Sequence, residues 1–165
     1  MIRPIEFSDR DSVLRVAVES GLFEEAEVGS LAESLDAYLA ASNVKNKIWL
    51  VDDDNGVVAV AFLAHEQMTI GTWNMLMLAV HRDEQGKGRG SALVKHSTDL
   101  LSLQGNRILL VETAGVEDFE KVRQFYRQNG FTKEGVIRNF YEEGVDKVIF
   151  QKTLNTDQAL IAVSD

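Results

Sequence analysis

The chain has 165 residues, 17 lysines and arginines against 26 aspartates and glutamates, a formal net charge of −9 and no cysteine. The missing cysteine excludes disulfides, thiolate zinc sites and a cysteine nucleophile, and the acidic balance opposes nucleic-acid phosphate and anionic lipid. The length suits one domain with its own core, no apolar run approaches the roughly 20 residues of a membrane helix, and Met1-Ile2-Arg3-Pro4-Ile5-Glu6 lacks the apolar stretch of a signal peptide. The expectation is a cytoplasmic protein with no nucleic-acid or membrane partner. Its negative charge serves solubility first and would secondarily favour a cationic acceptor.

In chain order, Ile2 to Phe7 is a strand candidate, and Ser8-Asp9-Arg10-Asp11 has a capping-box pattern ahead of Val13, Val16, Ala17 and Ser20 at helical spacing. Ser30-Leu31-Ala32-Glu33 repeats the capping signature, and Leu31, Leu35, Tyr38 and Leu39 make one helical face. Ile48 to Val51 and Val57 to Ala64 flank the acidic turn Asp52-Asp53-Asp54-Asn55-Gly56 and predict an antiparallel pair. Met75 to Val80 is a continuous apolar run, as for a strand covered on both faces, and Ile108 to Val111 is another. Between them lie a glycine-rich loop and a helix with Leu93, Ser97, Leu100 and Leu101 on its apolar side and Gly105 as end cap. Phe119, Val122 and Tyr126 form a further helical stripe closed by Asn129-Gly130. Two last strands, Thr132 to Arg138 and Val145 to Thr153, are joined through Glu143-Gly144. The order β-α-α-β-β-β-α-β-α-β-β defines an α/β fold, with Met75 to Thr113 a βαβ crossover whose strands are parallel neighbours. Residues 1–154 read as one domain and 155–165 as a tail whose apolar patch, Ala159 to Val163, suits a small helix or a docking arm.

The chemistry concentrates in His81-Arg82-Asp83-Glu84-Gln85-Gly86-Lys87-Gly88-Arg89-Gly90-Ser91, which leaves a strand and opens a helix. Glycines admit positive φ and close approach to bare amides. The first helical amides lack intrahelical partners and the helix dipole adds positive charge there. The result is a phosphate cradle, to which Lys87 and Arg89 add mobile charge. It is not a P-loop, since no Gly-Lys-Ser or Gly-Lys-Thr closes it, and its glycine spacing does not fit a dinucleotide fingerprint.

The pattern Gln85-x-x-Gly88-x-Gly90 resembles the pyrophosphate loop of the GNAT superfamily of N-acetyltransferases. Leu78-Ala79-Val80-His81 resembles that family's splayed strand, Arg107 to Thr113 its partner, and Phe125-Tyr126-x-x-x-Gly130-Phe131 the segment bearing its tyrosine. The resemblance spans residues 1 to about 154. It implies the acyl-CoA N-acyltransferase fold, a mostly antiparallel sheet with a central parallel βαβ pair. It implies acetyl-CoA as cofactor, with Leu78, Ala79 and Val80 pairing the pantetheine arm like an added strand and Gln85, Gly86, Lys87, Gly88, Arg89, Gly90 and Ser91 holding the pyrophosphate. It implies a small-molecule or protein amine as acceptor. No His/Asp/Glu set has convincing metal spacing, so no metal is expected. Many members carry an Asn seven residues before the tyrosine; this chain has Phe119.

Acetyl transfer requires removal of a proton from an alkylamine of pKa about 10.4 and protonation of a leaving thiolate. Tyr126 matches the family's general acid, and an ordinary phenol near pKa 10 is suited to a thiol near about 8.5. No carboxylate lies on Met75 to Val80, so Glu112, at the end of an apolar strand, is the best base. His65 and Glu66 end another strand and are weaker candidates, and His81 fits the loop better than catalysis. Acceptor specificity is expected from two irregular stretches, 21–29 and 137–144, and Phe23, Trp73, Phe140 and Tyr141 are candidate acceptor walls. A non-catalytic acyl-CoA-binding regulatory module and a phosphate-ligand protein of another class remain open, and an acidic chain with an apolar tail is compatible with a homodimer.

Overall fold

The computed structural model describes residues 1–41 and 44–154, so the expected tail lies outside the described residues. The strands are β1 (Ile2–Pro4), β2 (Lys47–Asp53), β3 (Val57–His65), β4 (Thr72–Val80), β5 (Ile108–Ala114), β6 (Thr132–Glu142) and β7 (Val145–Thr153). The helices are α1 (Arg10–Glu19), α2 (Val28–Ala40), α3 (Arg89–Leu103) and α4 (Glu120–Gln128). The strands form one mixed sheet in the order β1-β2-β3-β4-β5-β7-β6, and β4 with β5 is its parallel pair. Among the described residues no helix is long and apolar enough to cross a membrane. By contacts the chain divides into two units, Met1–Ala64 with Met77–His96, and His65–Leu76 with Ser97–Asp165.

In the first unit, β1 is shorter than its apolar pattern predicts. The chain leaves the sheet at Glu6, whose N–H donates to the Asp9 carboxylate at 2.8 Å while Arg3 holds that carboxylate at 2.6 and 2.9 Å. The first cap is therefore Glu6 with Asp9, in front of a 3-10 turn Phe7–Asp9, and not Ser8 with Asp11. Likewise α2 begins at Val28, before the Ser30 signature, and the Ser30 hydroxyl donates back to the Glu27 carbonyl at 3.1 Å. The helical faces behave as their spacing predicts: Val13, Val16, Ala17, Leu31 and Leu35 are buried against β2 and β3 residues Trp49, Val51, Val60 and Phe62. Trp49 stacks on Phe62 with centroids 4.3 Å apart. Each such buried side chain is worth about 1.5–3 kcal/mol of transfer free energy. The acidic segment is the expected turn, with Asn55 at φ 56° and the Gly56 N–H on the Asp53 carboxylate at 3.0 Å.

β4 departs from the doubly covered strand. Thr72 to Met75 are buried, but Leu76 is exposed, and Leu78 and Val80 are half-buried while Met77 and Ala79 are buried. The alternation shows one face that the protein leaves partly open.

In the second unit, the β4–β5 ladder holds three pairs, Thr72↔Ile108 to Asn74↔Leu110, and ends there. β5 also alternates: Leu109 and Val111 are fully buried, Ile108 and Leu110 half-buried. β5 pairs antiparallel with β7 over the whole length of β5, from Ile108↔Thr153 to Ala114↔Lys147. α3 closes at Gly105, φ 77°, whose N–H reaches the Ser102 carbonyl at 2.9 Å, as its end-cap position predicts. The α4 stripe is different from the expected one. Phe119 and Val122 are 37% and 38% exposed, and the buried residues are Arg123 and Tyr126. Arg123 earns that position through hydrogen bonds to the Ala114 and Val116 carbonyls at 2.6 and 2.8 Å and to the Glu120 carboxylate at 2.7 Å.

Candidate active site

In the first unit the chain passes from Val80 through a 3-10 turn, Arg82–Glu84, into the glycine loop and α3. Gln85 is a strap: its side-chain amide donates to the Val80 carbonyl at 3.0 Å and to the Ser20 carbonyl at 3.1 Å. Gly86 and Gly88 take φ of 74° and 83°, which an L side chain rarely adopts. The first helical bond of α3 runs from the Ala92 N–H to the Gly88 carbonyl at 2.9 Å, so the amides before Ala92 precede the ladder. A Cβ built on Gly86 or Gly88 meets no protein atom within 4 Å, leaving the space before them open to a ligand. A cavity of about 400 Å³ is lined by Lys87, Gly88, Arg89, Ala92, Asp52 and the first two residues.

Both of these loop cations, Lys87 and Arg89, are paired with carboxylates of the protein. Arg89 pairs with Asp52 at 3.1 Å, with Glu84 at 3.2 Å, and with Asp54. Lys87 pairs with Glu84 at 2.9 Å, and the Lys87 ammonium holds the Glu84 carboxyl below its usual range. What faces a ligand is therefore chiefly neutral N–H groups at the helix dipole. His81 belongs to this loop: its Nε2 lies 2.9 Å from the Glu19 carboxylate and its Nδ1 accepts the Asp83 N–H at 3.2 Å. Phe23 packs against the core of this unit.

In the second unit, β5, β4 and β7 converge on a polar cluster. Glu112 and Ala114 share one face of β5, Lys147 lies opposite Ala114, and Asn74 lies opposite Leu110, so Asn74, Glu112 and Lys147 meet diagonally across the strands. The Lys147 ammonium is 2.7 Å from Glu112, 3.6 Å from the Phe140 ring centroid and 5.9 Å from that of Tyr141. The Asn74 amide donates to Glu66 at 2.9 Å and, at the longer distance of 3.4 Å, to Glu112. Asn74 is 4% exposed, and its carbonyl oxygen has no partner among the described residues. Thus Glu112, Glu66, Phe140 and Tyr141, drawn from three segments of the sequence, stand together. Trp73 does not join them: it is buried, with its indole N–H on the Asn106 side chain at 2.9 Å, and His65 is edge-on to it at 5.6 Å.

Asn74 and Lys147 were not singled out by sequence. Asn74 carries a signal, a lone amide inside the apolar run Thr72 to Val80; Lys147 carries none. Tyr126 lies in an aromatic nest, 5.2 Å from Phe125, 5.4 Å from Phe131 and 6.4 Å from Phe150. Burial pushes its phenol up to about 12. At neutral pH Tyr126 is a proton carrier.

Residues 45–133, more than half of the chain, match the acetyltransferase (GNAT) domain family. The chain belongs to the GNAT acetyltransferase family and carries an acetyltransferase domain. A crystal structure from Desulfovibrio desulfuricans assigned to the same family is 28% identical, with a TM-score of 0.87 over 93% of this chain and 98% of that one. The ribosomal-protein-S18-alanine N-acetyltransferase of Escherichia coli shares the fold at 18% identity and TM-score 0.76, covering 94% of each chain. An aminoglycoside 6'-N-acetyltransferase complexed with coenzyme A does so at 15% identity and TM-score 0.74, over 93% of this chain and 96% of that one. No curated protein matches the chain.

Proposed function

We propose that this protein transfers an acetyl group from acetyl-CoA to a primary amine, of a small molecule or of a protein, in the cytoplasm. The observation that carries the proposal is the helix-opening loop, where Gly86 and Gly88 hold positive φ over open space ahead of the first bonded amide of α3. The residues fit a diphosphate: Gln85 fixes the loop, Arg89 and Lys87 shape it through their carboxylate partners, and the amides from Gly86 to Ser91 would donate. Leu78 and Val80 are half-buried and Ala79 is buried, and an extended arm added along the strand would pair with their backbone. Acetyl-CoA supplies the acetyl group as an activated thioester.

Tyr126 remains protonated throughout the physiological range and is the proposed donor to the leaving thiolate. Glu112 stands at the carboxylate end of the chemistry, and its cluster with Glu66 offers the amine's proton a destination. The Lys147–Glu112 contact favours one competing reading, a non-catalytic acyl-CoA-binding regulatory module in which that carboxylate is permanently occupied.

Calorimetric titration with acetyl-CoA, beside ATP and NAD, tests the proposal. Micromolar binding to acetyl-CoA alone, lost in Gly88→Glu, is the expected result, and no binding up to about millimolar concentration overturns it. Amine-dependent release of free thiol then separates the enzyme from the regulatory module, which would bind and never turn over.

A further inference from the structure

Three side chains from the stretch between β4 and the glycine loop end on the last turn of α1. The Arg82 Nε donates to the Glu19 carbonyl at 3.0 Å, the Gln85 amide donates to the Ser20 carbonyl at 3.1 Å, and the His81 Nε2 lies 2.9 Å from the Glu19 carboxylate. Carbonyls at the end of a helix have no partner within it, so the loop fastens this end of α1. Of these side chains, His81 also builds the turn that leads into the loop. It caps the 3-10 turn Arg82–Glu84, its Nδ1 accepting the Asp83 N–H at 3.2 Å. An Nδ1 that accepts is bare, so the ring is neutral and carries its proton on Nε2, aimed at Glu19.

Both ring nitrogens are thus in use. A second proton, on Nδ1, would point at the Asp83 N–H, donor against donor. The Asp83 carboxylate is 3.8 Å from Nδ1, beyond hydrogen-bond distance, and its side chain is 82% exposed. Glu19 already has a cation, since Arg15 pairs with the same carboxylate oxygen at 3.2 Å. Glu84 is turned to Lys87 and Arg89. β3 meets His81 through backbone, the His81 N–H donating to the Val58 carbonyl at 2.9 Å.

Resting on the acetyltransferase reading, we infer that His81 is a positioning residue for acetyl-CoA: neutral, it latches the cofactor loop to α1, and protonated it releases the turn and weakens acetyl-CoA binding. The added proton occupies Nδ1, the Asp83 N–H loses its acceptor, and the cap of the turn is gone. The loop then loses its anchor upstream of Gln85, while the Gln85 strap remains. The new charge stands between Glu19 and Asp83, so a ligand meets the altered backbone more than the cation. Imidazole changes its charge between about pH 5 and 8, which sets the window of the effect.

His81→Asn is the matched control, because an asparagine oxygen also caps a turn and does not titrate. Nitrogen–proton correlation of the imidazoles at about pH 7.5, without ligand, should show His81 with its proton on Nε2. Its signal is the one of three histidines that His81→Asn removes. Towards about pH 5.5 the Asp83 amide should shift to an unbonded position in the parent and stay in place in His81→Asn. Over that range acetyl-CoA affinity, by calorimetry, should fall about fivefold further in the parent than in the variant, the effect of one lost cap. Protons taken up by acetyl-CoA or by carboxylates are common to both proteins and cancel. A proton on Nδ1 in the neutral ring, or an Asp83 amide that does not move as His81 titrates, overturns the inference. So does acetyl-CoA binding with equal pH dependence in both proteins, and the acetyltransferase reading then stands. If acetyl-CoA binds neither protein at any pH, that reading fails on its own, and the imidazole and amide signals still decide the latch.

Discussion

Tyr126 sets the clearest expectation at the scale of a single residue. Its phenol, pushed up to about 12 by burial, lies above the ordinary value near 10. A folded value raised above the unfolded one contributes stability that is fully present below about pH 10 and is lost as pH rises through about 12. The full term is about 3 kcal/mol. The chain has three tyrosines. Absorbance titration near the phenolate band should therefore show one tyrosine ionising last, together with unfolding, and Tyr126→Phe should remove that step. If Tyr126 protonates the thiolate, the same variant should keep acetyl-CoA affinity and lose turnover by about 10²–10⁴; a turnover within twofold of the parent would reduce Tyr126 to packing. The Tyr126-x-x-x-Gly130-Phe131 spacing made this residue a candidate in the sequence, because the motif is local. Arg123 was not legible, since its partners are backbone carbonyls that any sequence has.

At the scale of the element, the glycine loop and the start of α3 were legible because glycine spacing and helix start are both short-range signals. The loop's charge was misread for a physical reason. Asp52 and Asp54, which hold Arg89, lie 37 and 35 positions away and approach only when β2 turns back beside the loop. Arg89→Met should thus act on stability more than on ligand charge. It takes the guanidinium from Asp52, whose side chain is 6% exposed, and leaves the Met1 ammonium at 3.1 Å as its partner, so a lowered urea midpoint is expected. Gly88→Ala meets no neighbour yet must hold φ 83°, so about 1–2 kcal/mol of strain is expected without a steric clash. The β6–β7 hairpin was legible as two strands and a turn, but not in its irregularity. Between Ile137↔Lys147 and Glu142↔Val145 the β6 side carries extra residues, with Asn139 at φ 52°, and this brings Phe140 onto Lys147.

Across the whole molecule, the order of strands and helices followed from periodicity alone, while the polar cluster did not, because it joins residues that only sheet register brings together. Register also explains the open face of β4: an apolar run looks the same in sequence whether protein or ligand covers it. The excess acid has a consequence for pH. Arg3 holds Asp9 and Asp53 below the usual carboxylate range, Arg10 does so for Asp36, Lys87 for Glu84 and Arg127 for Glu120. A depressed carboxylate contributes stability that is present above its ordinary value and is lost as pH falls through the lowered one. The thermal midpoint should hold from neutrality to about pH 4.5 and then fall steeply; a flat profile to pH 3 would mean that these pairs persist in the unfolded chain.

The pairing of Arg89 and Lys87 within the protein carries over to solution behaviour. Because their charge is already matched, the loop is a socket of oriented dipoles and not an ion exchanger. Inorganic sulfate should be a poor competitor there, and acetyl-CoA affinity should decline only shallowly as sodium chloride rises from about 0.05 to about 0.5 M. On the proposed reading, selection at such a socket would be by the shape and bond directions of a bridged diphosphate.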